Sequence, residues 1–523
     1  MNLLNLTLTE YIEESFKKHE NNTAIIYPEK NETYTYLEFQ NKINCYSIAL
    51  MKLGVKKTSH IGVFSDNTPE YLALLLASMK IGAVLVSINN NYTEKELSYV
   101  LKQSDCSLLF TTNELMNKVI KNSNLDLPNL NNILTFNDLS KTYESIENKS
   151  SYILELKEAQ KTVLPDDTAL ILYTSGTTGL PKSVLHSHCC ILNGIRSFQK
   201  QFNYDEDDKL ILVLPLYHMM GCLYSSLLMF FVGGSLVVIN KFKTSTVLKT
   251  IESERCTCFH GVPTMFRFLL NKYKDYNISS LKKGFIAGSD CPSKLLEDIR
   301  EKLGIDSLYC GYGQTESLGI TLISITNTIE SITYTTANPV DNVSIKIRDI
   351  NSSNTVPAGE NGEIIVLSPY LMQGYYNNDE ANKKAIDEKG WLHTGDIGIM
   401  NKDGSISIVG RLKDIINRGG ENISPVEIEN EILKLEKVSD VAIVGVPDSL
   451  MGEEICAFII PKENISIELE ELKTLLSQNL SRYKMPKYLF AENSFPMNPS
   501  GKVQKYLLQQ KAIDRLALAV TNS

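Results

Sequence analysis

Apolar residues in this chain gather into short unbroken runs, and between the runs the apolar positions recur at helical spacing. Ile61–Phe64, Ala83–Ile88, Leu170–Tyr173, Leu210–Leu214, Leu236–Ile239 and Gly284–Ala287 have almost no polar interruption. Runs of that length read as strands buried on both faces. Thr7-Leu8-Thr9-Glu10 fits a helix-capping box and is followed by Tyr11, Ile12 and Phe16 on one helical face. Tyr71–Met79 predicts a further helix, closed by Gly82. Buried strands alternating with helices predict an α/β fold of layered sheets. Asn113–Lys161 is rich in Asn, Lys and Ser with weak periodicity, and predicts irregular surface structure. No internal repeat is visible.

The pattern changes toward the C-terminus. Asn342–Val366 alternates as short strands with turns at Asn351–Asn354 and Gly359–Gly362, and Asp403-Gly404 is a hairpin turn. Beyond Gly410 the spacing predicts a helix over Pro425–Leu435, strands over Val441–Val446 and Ile455–Ile460, a helix over Leu469–Leu480 and a final helix. This is a small α+β domain. The boundary is placed at Gly410–Asp414, giving a large N-terminal domain of sheets and helices, 1–410, and a C-terminal domain, 411–523.

Composition narrows the picture without changing it. A chain of 523 residues exceeds one ordinary core. Its 43% hydrophobic and 22% charged content is that of a soluble globular protein. The net charge of −9 argues against nucleic-acid binding through the whole surface. Ten cysteines include no CxxC pair, so buried free thiols in a reducing cytoplasm are expected rather than a metal or disulfide framework. Met1–Glu10 has no basic, then apolar, signal pattern. Leu210–Asn240 lacks charge and is long enough to span a bilayer, but Pro215, His218, Gly221 and Gly233-Gly234 interrupt it. It reads as strand, loop, helix Met219–Val232 and strand, all buried. No transmembrane span is expected, and peripheral membrane contact stays open.

Candidate chemistry begins where Leu170–Tyr173 empties into Thr174-Ser175-Gly176-Thr177-Thr178-Gly179-Leu180-Pro181-Lys182. Glycines let backbone N–H groups converge, hydroxyls add donors and Lys182 adds a charge, a surface suited to nucleotide phosphates. Pro181 before the lysine rules out a Walker A loop. An ordinary Ser/Thr/Gly surface loop is the alternative. After the short strand Leu308–Cys310 comes Gly311-Tyr312-Gly313-Gln314-Thr315-Glu316. Tyr312 between glycines can lie flat on a purine, Thr315 can bond a phosphate, and Glu316 can hold Mg²⁺. Asp396 of Thr394-Gly395-Asp396 can accept ribose hydroxyls, or be a turn aspartate. Arg411 at the boundary can bridge ribose and phosphate.

These stretches resemble the motifs of the adenylate-forming, AMP-binding superfamily of acyl-CoA synthetases, stand-alone adenylation enzymes and luciferases. The resemblance covers nearly the whole chain. It implies that the 174–182 loop holds ATP phosphates, that Tyr312 stacks on adenine, that Thr315 meets the α-phosphate, that Glu316 carries the metal and that Asp396 holds the ribose. It implies that Lys502, in Pro499-Ser500-Gly501-Lys502, approaches the α-phosphate and the acyl carboxylate, with Lys505 the nearest competitor. Lys413 would be the hinge of a mobile C-terminal domain. His218 of Pro215–Gly221 would line or gate the carboxylate entry. Gly419-Gly420 would meet the pantetheine arm of CoA, or form a mere turn before the helix at Pro425. Gly288 would be a cofactor-binding glycine beside the expected acyl pocket, for which Leu223, Tyr224, Val262 and Phe266 are wall candidates. Ser183, Thr336-Ala337-Asn338-Pro339 and Asp290 depart from the usual pattern, and Asp290 bears on how apolar the substrate is.

The resemblance is strongest to medium- and long-chain fatty acyl-CoA synthetases. It implies ATP, Mg²⁺ and CoA as cofactor and co-substrates and a small-molecule carboxylic acid as partner. No acidic residue near Pro215–Gly221 awaits an ammonium group, so no free α-amino group is expected on that acid. An aryl acid, a carrier-protein acceptor in place of CoA, and a non-catalytic nucleotide-binding protein are the alternatives.

Overall fold

The computed structural model describes residues 1–117, 129–174, 181–289, 291–324, 337–350, 352, 354–462, 466–497 and 503–521. By contact the chain forms two compact units. One comprises Met1–Ile329, Pro339–Ser344 and Val366–Leu392, the other Glu330–Asn338, Ile345–Ile365 and His393–Ser523.

Two sheets organise the first unit. One runs in the order Gly374–Tyr375, Lys182–Ser187, Thr168–Thr174, Val84–Ile88, His60–Phe64, Leu108–Thr111, Asn132–Thr135. From Thr168–Thr174 onward its neighbours are parallel. The other carries, in order, Leu318–Ser324, Ser307–Gln314, Lys283–Ala287, Cys258–Gly261, Lys209–Leu212, Ser235–Val238, Thr23–Tyr27 and Glu32–Thr35. Helices cover these apolar strands, as fully buried parallel sheets require. The first helix, Leu8–Lys18, starts at the expected capping box, with the Thr7 hydroxyl accepting from the Glu10 N–H and the Glu10 carboxylate accepting from the Thr7 N–H.

Three expectations change. Asn132–Thr135 adds a parallel edge strand, and Phe136–Glu144 and Lys149–Lys161 are helices, the former with its own Thr135–Asp138 capping box. Polar composition hid them, because few apolar residues suffice for elements packed on one side; Phe136 and Leu139 are the buried ones on Phe136–Glu144. Within the charge-free segment the expected strands form, but the expected helix Met219–Val232 is a π-helix, Met220–Leu227, followed by a short α-helix, Leu228–Val232. Ser225 and Ser226 hydroxyls donate to the carbonyls of Met220 and Gly221, one π-turn back. The strand at Leu308–Cys310 extends over Ser307–Gln314, because Leu318–Ser324 folds back against it and supplies the missing partners. No described helix is long and apolar enough to cross a membrane. All ten cysteines are free, and eight of them are buried.

In the second unit a twisted sheet joins Glu421–Ile423, Ile416–Arg418, Gly452–Pro461 and Val438–Asp448, with Tyr488–Ala491 alongside Gly452–Pro461. Alternate residues of Val438–Asp448 serve two cores. Val441 and Ile443 pack with Ile428, Ile432, Leu472 and Leu476. Ala442, Val444 and Val446 pack with Phe458, Leu508 and Ala512. The period of two along a strand produces this division, with helices on both faces. A four-stranded sheet of Ser344–Arg348, Asn361–Leu367, Leu392–Met400 and Ile406–Arg411 also falls mostly in this unit.

Three buried histidines of the first unit make its stability pH-dependent. Burial holds His186 and His188 down at about 4 and His260 at about 3, against an ordinary value near 6.5. His260 is kept neutral between the Tyr204 hydroxyl (2.8 Å) and Ser225 Oγ (3.1 Å). The unfolded chain protonates these rings below about pH 6.5 and the folded chain does not until about pH 4. Their contribution is therefore complete above pH 6.5 and is lost as pH falls toward 4. Calorimetry at pH 7 and pH 5 should show a midpoint lower by roughly 5 °C at the acid pH. An unchanged midpoint would contradict the burial of the three as neutral rings.

Candidate active site

Strand Thr168–Thr174 leads to the phosphate-loop motif and strand Lys182–Ser187 leads back, with Thr174 opposite Lys182 in antiparallel register. Leu170, Ile171 and Leu172 are buried, so the incoming strand is locked in the sheet up to the loop. Ser175, Gly176, Thr177, Thr178 and Gly179 lie outside the described residues. Lys182 extends its ammonium over the Tyr375 ring, 4.9 Å from the centroid. Ser183 fits without strain. It is buried opposite Tyr173, and its carbonyl accepts the Tyr376 N–H at 3.0 Å.

The second motif occupies a tight antiparallel hairpin. Gly311 pairs with both Ala287 and Leu322, Tyr312 with Thr321 and Gly313 with Gly319. Its two glycines are needed for close approach. A side chain at Gly311 would press on the Phe285 ring at 2.7 Å, and one at Gly313 would run into the Leu318 carbonyl oxygen. Thr315 and Glu316 sit in the turn, held because the Ser317 N–H donates to the Gln314 carbonyl. Leu318 follows at a positive φ of 55°. Glu316 Oε1 accepts the Tyr375 hydroxyl at 2.9 Å, and its main-chain carbonyl accepts the Met372 N–H at 2.8 Å. The other Glu316 oxygen accepts no hydrogen bond from a described residue. A carboxylate with one oxygen that accepts from no described residue fits Mg²⁺, which takes few protein ligands and completes its shell with phosphate and water.

Neighbouring parallel strands end nearby in sequence with the remaining candidates. Lys283–Ala287 passes into Gly288, at φ +95°, whose missing side chain would lie 3.3 Å from Val262 and 3.6 Å from Met220 Sδ. Lys209–Leu212 leads to Pro215–Gly221, where His218 Nδ1 accepts the Met220 N–H at 3.3 Å. That bond leaves the proton of the neutral ring on Nε2. Leu223, Tyr224, Val262 and Phe266 are all buried. Ligands of open α/β sheets bind outside such carboxyl strand ends. Asp290 lies outside the described residues.

In the second unit Asp396 and Arg411 face each other across paired strands, and Arg411 Nε contacts Asp396 Oδ1 at 2.9 Å. The Asp396 side chain is 4% exposed and that of Arg411 47%. The turn before Asp396 is tied from below. Thr394 Oγ1 donates to the Ile364 carbonyl and accepts the Asp396 N–H. Glu363 gathers His393 Nδ1 (2.9 Å), Arg348 (3.2 Å) and the Gly395 N–H (3.3 Å). Glu363 escaped the sequence reading: it stands just before the apolar run Ile364-Ile365-Val366, and its partner His393 lies 30 positions further on. If Asp396 holds the ribose, Asp396→Ala raises the ATP KM about tenfold or more, the usual worth of a lost hydrogen bond to a charged group. Unchanged ATP saturation in a pyrophosphate-exchange assay would remove Asp396 from the site.

Lys413 is exposed in the single turn Leu412–Asp414. Gly419 and Gly420, at φ +61° and +91°, form the two-residue turn between Ile416–Arg418 and Glu421–Ile423. Such hairpin turns need positive φ at both positions. The Gly419 N–H donates to the Met451 carbonyl at 2.7 Å, and Arg418 makes a two-pronged pair with buried Glu454. Lys502 lies outside the described residues; Met497 and Val503 on its two sides form an antiparallel bridge. Its competitor Lys505 is engaged, 2.7 Å from Glu429.

The chain matches two family models. Residues 12–376 match the AMP-binding enzyme family and residues 427–502 its C-terminal domain. It is 35% identical to the putative acyl-CoA synthetase YngI of Bacillus subtilis, covering 99% of both chains. It is 29% identical to the human mitochondrial medium-chain acyl-CoA ligase ACSF2, covering 97% of this chain and 87% of that one. Among solved structures, ATP-bound MatB from Rhodopseudomonas palustris superposes with a TM-score of 0.88 at 25% identity, over 97% of this chain and 99% of that one. Matched by both family models and 35% identical over its whole length to an acyl-CoA synthetase relative, with a glycine-flanked tyrosine on a tight hairpin, this chain belongs to the AMP-binding enzyme family.

Proposed function

We propose that this chain is an AMP-forming acid–thiol ligase that converts a carboxylic acid, of the medium- or long-chain fatty class, into its CoA thioester. The observation that supports this best is the joint placement of Lys182 and Glu316 about one phenol, next to Tyr312 and Thr315 on one hairpin. The acid's carboxylate oxygen attacks the α-phosphorus of ATP. A P–O bond to the acyl oxygen forms, the bond to the bridging oxygen breaks, and pyrophosphate leaves. Tyr312 stacks on adenine, Thr315 donates to the α-phosphate, Lys182 balances charge on the departing phosphates, and Asp396 and Arg411 take the ribose. Bound Mg²⁺ would be held by the open Glu316 oxygen and would offset phosphate charge. Lys502 stabilises the negative charge that builds at phosphorus. In the second half-reaction the CoA sulfur attacks the acyl carbon, its proton passes to solvent, and AMP leaves.

The two half-reactions need different groups at the reacting atoms. A C-terminal domain turning about Lys413, in an exposed single turn, would withdraw Lys502 and present Gly419-Gly420 to pantetheine. His218 would border the carboxylate entry. Buried Leu223, Val262 and Phe266 and the phenol of Tyr224 suit an acid whose far end is apolar. We place the enzyme in the cytoplasm, in keeping with its free cysteines.

The purified chain should release AMP and pyrophosphate only with an acid present, and form thioester with CoA alone. A panel of fatty and aryl acids should give the highest rates with medium or long alkyl chains. Formation of ADP would remove the reaction; preference for benzoate-type acids would remove the substrate class.

A further inference from the structure

We propose that Tyr375 is a positioning residue for adenylation: its hydroxyl fixes one oxygen of Glu316 while its ring holds the ammonium of Lys182, so one side chain sets the metal carboxylate and the phosphate lysine together. The inference rests on the ligase reading above.

Tyr375 is itself held firmly. It pairs with Val184 and Gly374 with Leu185, one strand turn from Lys182. The flanking Gln373 and Tyr376 N–H groups donate to the carbonyls of Leu185 and Ser183 at 2.9 and 3.0 Å. Asn382 closes on its backbone, Oδ1 accepting the Tyr375 N–H (2.6 Å) and Nδ2 donating to the Tyr375 carbonyl (3.1 Å). The ring packs with Val184, Met372 and Leu392. A side chain fixed on this many sides can transmit position to what it touches.

It touches two charged groups of opposite sign. The hydroxyl reaches Glu316 Oε1 at 2.9 Å and the ring face lies 4.9 Å from Lys182 Nζ. A lysine and a glutamate in direct contact would pair, and each would be neutralised before a ligand arrived. The phenol separates them. Lys182 rests on an aromatic face, an attraction weak enough to surrender to a phosphate. Glu316 spends one oxygen on the phenol, and the other accepts from no described residue.

The test separates hydroxyl from ring. Tyr375→Phe keeps the ring and the fold but removes the donor. Outer partners of metal-binding carboxylates are typically worth ten- to a hundredfold in metal affinity. Mn²⁺ affinity in the presence of a non-hydrolysable ATP analogue, read by loss of the free-ion resonance, should fall about tenfold in Tyr375→Phe. Half-saturating Mg²⁺ for pyrophosphate exchange should rise by the same factor, with the ATP KM at saturating Mg²⁺ unchanged. Tyr375→Leu should raise that KM as well, through Lys182. In a Glu316→Gln background, Tyr375→Phe should add no further loss of Mn²⁺ affinity. Wild-type Mn²⁺ affinity in Tyr375→Phe, or full additivity with Glu316→Gln, would overturn the inference while leaving the ligase reading intact. Absence of acid-dependent exchange in the unmodified chain would overturn both.

Discussion

Lys502→Ala should lose acyl-adenylate formation by about 10³-fold while still forming thioester from supplied acyl-AMP and CoA. In-line displacement at phosphorus concentrates charge on the equatorial oxygens, and a positioned cation is worth most where water is excluded. Removing one such donor typically costs a hundred- to a thousandfold in rate. The second half-reaction has no phosphorus displacement, so its rate should stay within about threefold. The control is Lys505. Its ammonium is committed to Glu429, whose carboxylate also accepts the Ile443 N–H. Lys505→Ala should therefore lower the unfolding midpoint of the full chain more than its adenylation rate. Equal loss of both half-reactions in Lys502→Ala would mean that the lysine shapes the site rather than the chemistry.

Glu316→Gln should lower adenylation by about 10²- to 10³-fold, with Mg²⁺ no longer saturating in the millimolar range. The substitution is isosteric. An amide oxygen can still accept the Tyr375 hydroxyl, and the main-chain bond from Met372 is untouched. What disappears is the carboxylate charge. The loss should therefore appear in pyrophosphate exchange and not in the melting temperature. Less than a tenfold drop would show that this carboxylate does not carry the metal. Glu316→Gln and Tyr375→Phe differ in a useful way. The first removes the ligand's charge, whereas the second leaves the charge and frees its direction.

Much of the candidate site could be proposed from the sequence because its residues are local in the chain. Glycines flanking Tyr312, the Thr394-Gly395-Asp396 turn and the hydroxyl-rich loop are each a few residues long. Their chemistry follows from spacing along one turn. Residues that support them from afar were not legible. Tyr375 reaches Glu316 across 59 positions, and Glu363 reaches His393 across 30. Nothing local marks either one, because a buried tyrosine and a strand glutamate look like ordinary members of an amphipathic strand. The glycines at 419 and 420 were ambiguous for another reason. A hairpin turn and a ligand approach ask the same conformational freedom of them, and the turn alone accounts for their positive φ.

The elements themselves divide along the same line. Apolar runs announced the buried parallel strands, because a strand covered on both faces has no polar face to show. A polar average concealed Phe136–Glu144 and Lys149–Lys161, which need only a narrow apolar stripe. The π-helix at Met220–Leu227 and the lengthening of the strand to Gln314 came from partners distant in the chain. Gly313 can approach the Leu318 carbonyl, and the strand continue, only once Leu318–Ser324 has folded back. The amino-acid order by itself thus determined the layered α/β class, the strands of its core and the short motifs proposed to hold nucleotide. Tertiary structure alone decided which side chains hold those motifs in place, because hydrogen bonds and ring contacts between remote strands depend on register, and register exists only after the sheets have assembled.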